Sequence, residues 1–186
     1  MTQQQSYDVV ATSGGYELRR YHPCVLADVT VSGEFEKAGN AGFRPLVNYI
    51  SGANHSASKV SMTAPVIQEP AQKIELDSPM LITHAGNSHI ISFVMPAQFT
   101  SVDQMPVPID RNVTLRAVPE QLVLVDRFSG RWSEATYLQR LNSLNTHALG
   151  IGYVIHGPAR FARFDPPWTP WFLRRNEIQV PVVEVN

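Results

Sequence analysis

Apolar side chains fall in short runs at the start of this chain, separated by turn residues. Residues 7–11 and 16–21 read as strands joined across Thr12-Ser13-Gly14-Gly15, a hairpin composition. Residues 25–31 continue as a mostly apolar strand. At Ser32-Gly33 the period changes. At about 100° per residue, Phe35, Ala38, Gly42, Leu46, Tyr49 and Ile50 share one face, the stripe of an amphipathic helix. Gly52 stands where a C-terminal cap is expected.

Further along, residues 60–67 read as extended, with Pro65 marking an edge or a bend. Residues 89–95 (Ile90, Ile91, Phe93, Val94) predict a strand, and 113–118 and 122–128 predict two more around Pro119-Glu120. Ser133 is a fitting N-cap for a second helix through Leu138, Leu141, Leu144 and Ala148. An extended stretch near 159–164, a loop rich in proline and tryptophan, and a strand over 177–183 follow.

One pattern occurs twice. Ser32-Gly33-Glu34-Phe35-Glu36-Lys37-Ala38 matches Ser129-Gly130-Arg131-Trp132-Ser133-Glu134-Ala135 as Ser-Gly-x-aromatic-x-x-Ala. Each copy follows an apolar strand and opens a helix, and two extended segments come after, the first ending at Pro65 or Pro166. The chain therefore divides into two strand–helix–strand–strand halves, about 7–110 and 111–186, within one domain spanning 1–186. Each half exposes one apolar sheet face, and pairing buries both. The expected fold is α+β: a distorted antiparallel barrel of about eight strands, closed or nearly so, with two flanking helices.

Composition narrows the partners. With 186 residues and 44% hydrophobic content, the chain can bury a core without staples. A net charge of −1 gives no field to hold nucleic acid or an anionic membrane. Cys24, alone of its kind, lies in the run Cys24-Val25-Leu26-Ala27 and reads as a small buried hydrophobe. The first residues lack the basic and apolar regions of a signal peptide, and no apolar segment reaches the roughly 18 residues of a membrane span, so a cytoplasmic location is expected; the oligomeric state is left open by the sequence, with a monomer favoured.

Several chemistries are missing. The histidines at 22, 55, 84, 89, 147 and 156 include no i, i+4 pair, and no Cys-x-x-Cys accompanies them, so no zinc site is expected. Gly150-Ile151-Gly152 reads as a helix terminus rather than a phosphate loop. Ser56-Ala57-Ser58-Lys59 fits Ser-x-x-Lys but follows a helix instead of opening one, and its usual partner motifs are absent. It reads as accidental, and no catalytic set converges.

Two features point to a ligand. Phe43 and Val47 lie at i, i+4 on the shoulder of the first helix, flanked by Asn40 and Arg44. They are either a broad core stripe or an apolar shelf with donors for a flat, carboxylate-bearing ligand. The segment from Asp165 to Arg175 sets Trp168, Trp171 and Phe172 among prolines beside Arg174. It either caps the barrel end or forms a lid with an arginine at the anionic edge of a ligand.

Longer stretches carry a resemblance. Tyr16-Glu17-Leu18-Arg19-Arg20-Tyr21-His22-Pro23, the run from Gly42 to Asn54, Lys59-Val60-Ser61-Met62-Thr63-Ala64-Pro65-Val66, Ser92-Phe93-Val94-Met95-Pro96, Phe128-Ser129-Gly130 and Arg174-Arg175-Asn176-Glu177 resemble the SOUL heme-binding family. The likeness runs in order over nearly the whole chain. It implies a barrel built from a twofold repeat, and non-covalent binding of heme b or a related porphyrin in an apolar groove between the first helix and the tryptophan loop. The matching groove positions here are Asn40, Phe43, Val47, Asn48 and, in the loop, Thr169. The apolar character survives at Phe43 and Val47, while the family's cations do not, and Arg44 stands one turn from Asn40 as a substitute. The position of the iron ligand proposed in the vertebrate SOUL protein matches Arg20, with His22 two residues on as a second candidate. These features imply a weak tetrapyrrole carrier, buffer or sensor, not an enzyme; the alternative on the same fold is a module for another hydrophobic small molecule or a protein partner.

Overall fold

The structure, a computed structural model, describes residues 3–70, 88–131, 133–165 and 168–185. The chain runs through β1 (Gln3–Gln4), β2 (Tyr7–Ser13), β3 (Tyr16–Tyr21), β4 (Cys24–Ser32) and α1 (Phe35–Ile50). Next come β5 (Thr63–Ala64), β6 (Val66–Pro70), β7 (Ser88–Val94), β8 (Val113–Val118) and β9 (Gln121–Phe128). It ends with α2 (Glu134–Gly150), β10 (Tyr153–Ile155), β11 (Arg160–Arg163) and β12 (Asn176–Glu184).

The Ser-Gly breaks before the two helices share one backbone device. Gly33 has φ +137° and Gly130 has φ +134°, values that L side chains rarely adopt. Both turns are then tied down from the third strand after the helix. Asn176 Nδ2 of β12 donates to the Gly130 carbonyl at 3.0 Å, and a ring nitrogen of His89 in β7 lies 3.1 Å from the Gly33 carbonyl. The helix starts differ, because Ser133 caps α2 by accepting from the Thr136 amide, whereas Glu34 precedes α1 without a side-chain cap. Trp132 and Pro166, also part of the repeat, lie outside the described residues.

Strand order makes the repeat visible in space. The sheet runs β2-β3-β9-β12-β11-β6-β7-β4-β8, with β10 on β12. Outward from the β6–β11 pair, one side reads β6-β7-β4 and the other β11-β12-β9, so each strand before a helix pairs with the third strand after it. Beyond them, the halves trade places. β3 belongs to the first half but pairs with β9, and β8 belongs to the second but pairs with β4. This exchange buries what each half alone would leave as an edge. The fold is α+β with an antiparallel main sheet, as expected from the sequence. It has ten strands instead of about eight, and its order is an open path from β2 to β8. The sequence pattern misses β10 and the two-residue parallel pair β1–β5.

One sheet face carries both helices. Ala38, Leu46, Tyr49 and Ile50 of α1 bury with Val25, Ala27, Val29, Ile91 and Phe93. Tyr137, Leu144 and Ala148 of α2 bury with Leu124, Phe128, Phe161, Ile178 and Val180. Each large side chain so buried contributes about 1.5–3 kcal/mol. Gly42 sets the approach of α1: a Cβ there would come within 2.5 Å of Ile91. Gly42→Ala should therefore overpack the contact and lower the unfolding free energy by about 1–3 kcal/mol in a urea melt.

Alternate strand positions face the other way, and that side mixes apolar with charged groups. Cys24, Leu26, Ile67, Val94 and Val118 form one apolar cluster, and Tyr21, Val123 and Val125 another. Burial pushes the Cys24 thiol up to about 11, which fits its reading as an inert hydrophobe. Between the clusters lies a buried ion pair, Arg19 Nη1 to Glu177 Oε2 at 2.9 Å, with both side chains at most 1% exposed. Gln179 donates to the same carboxylate oxygen at 2.9 Å, and Arg175 Nη2 donates to the other at 2.7 Å. No helix among the described residues is long and apolar enough to cross a membrane.

Candidate functional site

The outer side of α1 follows from its angular pattern. Residues that face the sheet are spent on the core, and Asn40, Phe43, Arg44 and Asn48 are left exposed on the opposite shoulder. Phe43 is 39% exposed, and the inner edge of its ring meets the buried Phe93 ring, with centroids 5.3 Å apart at 67°. Phe93 thus braces Phe43 from below. Val47, the other half of the shelf, is half-buried and packs against the core under α1.

At the N-terminal end of this shoulder α1 lies against β11. A side chain on Gly39 would collide with the Arg163 guanidinium. Arg163 Nη2 donates to Gln68 Oε1 at 2.6 Å, and Gln68 Nε2 donates to the Phe35 carbonyl at 3.1 Å, so β11, β6 and the start of α1 are tied together. Burial brings the Arg163 pKa down to about 10, with Glu36 opposing that shift and Arg174 adding to it. The group stays charged at neutral pH. Arg163 was not singled out from the sequence. Two signals stood there: Arg163 is in phase with Phe161 on its strand, and Gly39 sits unexplained within a helix.

The charge of Arg174, at the end of the tryptophan loop, bears on Arg163. Arg174 Nε donates to the Thr169 carbonyl at 2.7 Å, which closes the loop on itself. The Asp165 side chain accepts from the Arg175 amide at 2.5 Å and fixes its base. Trp168 is 82% exposed and Trp171 49%, with Phe172 and Leu173 also exposed. Trp171 meets Phe172 edge-on at 5.6 Å, and the Arg131 guanidinium stands 5.7 Å from the Trp171 ring centre.

His22 is placed elsewhere. It follows β3, and its Nε2 lies 2.9 Å from the Asp8 carboxylate at an exposed position. β3 neighbours β2 and β9, whereas α1 packs on β4 and β7. Among the described residues, no three His, Cys, Asp or Glu side chains group as metal ligands.

These observations define an α+β domain with both helices on one face of an antiparallel sheet and an aromatic step on the outside of the first. The model of the SOUL heme-binding protein family matches residues 2–181, and the chain belongs to that family. It is 26% identical over 167 residues to heme-binding protein 1 of Xenopus laevis, covering 88% of this chain and 81% of that one. It is 28% identical over 184 residues to heme-binding protein 2 of Mus musculus, covering 93% and 84%. Among solved structures, the EcmrR C-terminal domain superposes with a TM-score of 0.60 at 14% identity, covering 96% of this chain and 99% of that domain. That last likeness is one of fold.

Proposed function

We propose that this protein binds heme or a related porphyrin non-covalently, as a carrier, buffer or sensor, on the outer shoulder of α1 beside the tryptophan loop. The observation that carries the reading is Phe43, a large aromatic left exposed on a helix and held rigid by Phe93 beneath it. Family membership and the names of the relatives support the choice of a tetrapyrrole.

The residues fit such a ligand. Phe43 and the margin of Val47 offer an apolar seat, and Trp168 and Trp171 offer further ring surface at one end. Asn40, Asn48 and Thr169 are polar neighbours. Arg44 and Arg174 supply cations suited to carboxylate side arms, the role that the family gives to charges missing here. Heme supplies an iron centre when bound; the chain's part is to hide the ring and orient its acidic edge. Covering about 300 Å² of apolar surface at about 25 cal/mol per Å² contributes on the order of 7 kcal/mol before association costs, which corresponds to micromolar or weaker affinity.

A hemin titration followed at the Soret band tests this. The wild type should show a saturable shift within tens of micromolar, and Phe43→Asp should weaken it tenfold or more. No shift for the wild type over that range would rule the reading out.

A further inference from the structure

Behind the C-terminal end of α1, away from Phe43, the chain forms a cleft of about 580 Å³, within the usual size of small-molecule sites. Two segments wall it, one on either side of a core floor, and both are anchored. Asn54 is 2% exposed, and its side chain is central to the first wall: its Nδ2 donates to the Tyr49 and Ser58 carbonyls, and its Oδ1 accepts from Ser56 Oγ and the Ser58 amide. The second wall hangs on the first. Tyr49 Oη donates to the Pro106 carbonyl at 2.8 Å, and the His55 amide donates to the Val107 carbonyl at 3.0 Å. The cleft is therefore part of the fold, set by a buried asparagine and by cross-wall hydrogen bonds.

Its lining has one chemical sense. Val60 and Met105 are buried and Phe99 is partly so, giving an apolar floor. At the rim stand Lys59 and His55, with Val107 62% exposed. No lining residue is acidic, and among the described residues Lys59 has no ion-pair partner. The Ser-x-x-Lys pattern acquires a use here. Ser56 Oγ donates to Asn54 and Ser58 Oγ to the Ser56 carbonyl, so the two hydroxyls shape the loop that presents Lys59.

We propose that this cleft is a second ligand site, for a small amphiphile with an apolar body and a single carboxylate. The body lies on Val60, Met105 and Phe99, and the carboxylate meets the Lys59 ammonium at the rim, a charge-assisted contact that a neutral or cationic amphiphile cannot make. The site is separate from the tetrapyrrole shoulder and does not depend on that reading.

Decanoate and decylamine, matched in chain length and opposite in charge, are the probes, read by NMR amide correlation spectra of the full chain. Decanoate should shift amides of residues 55–60 and 99–107 in the wild type, and decylamine should not. Lys59→Glu should weaken decanoate at least tenfold and admit decylamine instead. Val107→Asp, at another exposed rim position, should also weaken decanoate. Phe43→Asp should leave decanoate affinity within twofold. Absence of decanoate-induced shifts at the cleft, equal binding of the two probes to the wild type, or loss of decanoate binding in Phe43→Asp would overturn the proposal.

Discussion

Replacing Glu177 by Gln should lower the unfolding free energy at neutral pH by about 3–5 kcal/mol, because it removes the buried partner of the Arg19 cation and leaves it only the partly exposed Glu17 carboxylate, 2.7 Å from its Nε. Arg19 is 1% exposed and its guanidinium makes two hydrogen bonds to Glu177, at 2.9 and 3.2 Å. Gln179 and Arg175 bond the same carboxylate, and Gln179 also donates to Tyr21 Oη at 3.0 Å, so one substitution disturbs the network between β3 and β12. Burial works against the Glu177 carboxylate, but the hydrogen bond and charge of Arg19, then Arg175 and Gln179, outweigh it and hold its pKa below the ordinary value. A carboxylate whose folded pKa is depressed contributes its stability above the unfolded pKa of about 4.3, and loses it as pH falls through the folded value. Urea melts at a series of pH values should therefore show the wild type weakening on acidification below that point and Glu177→Gln showing a shallower fall. An apolar pair, Arg19→Met with Glu177→Leu, should be less damaging than the single variant, since the two buried charges leave together and those that lose a partner, Arg175 and Glu17, are partly exposed. A single variant as stable as the wild type at pH 7 would refute this account.

Phe161→Ala should cost about 3–5 kcal/mol in the same melts. Phe161 is fully buried on β11, and three rings surround it: Phe35 of α1 at 5.6 Å, Phe128 of β9 at 6.1 Å and Tyr137 of α2 at 6.0 Å. It is the place where both helices and the sheet meet one side chain. Removing the ring takes away its burial and leaves a hole with a wall from each element, so no single neighbour can relax to fill it. The cost should come with little change in the slope of the transition, because the surface exposed on unfolding is nearly the same. A loss below about 1 kcal/mol would mean that the site collapses freely.

Much of the fold was legible before any coordinates. The hairpin at Thr12-Ser13-Gly14-Gly15, the face of α1, the Ser133 cap and the Ser-Gly breaks are all set by local preferences, which a single sequence carries in full. β10 escaped because Tyr153–Ile155 is too short to establish a period, and it exists through pairing with Val182–Glu184 of β12. β1 escaped for the same reason. The count of strands and the open path are likewise properties of pairing.

The candidate site divides along the same line. Phe43 was visible because its angle on the helix departs from the core stripe. That Phe93 braces it depends on how α1 lies on β7, which Gly42 permits and no local signal states. Arg163 was missed because an arginine in a strand reads as exposed until Gly39 is brought over it. His22 shared a strand face with Arg20 in the sequence pattern, yet β3 ends at Tyr21, and His22 lies beside Asp8.

By itself the sequence determined both helices, the longer strands, the twofold echo and the exposed aromatic on the first helix, since these depend on neighbours a few residues apart. Tertiary structure alone decided the exchange of β3 and β8 between the halves, the pairing of Arg19 with Glu177 across the chain, the arginine beneath Gly39 and the cleft walled by Asn54. Each of those needs groups far apart in the chain to meet, and the free energy that holds them is that of burial and pairing, which exists only once the sheet and helices have assembled.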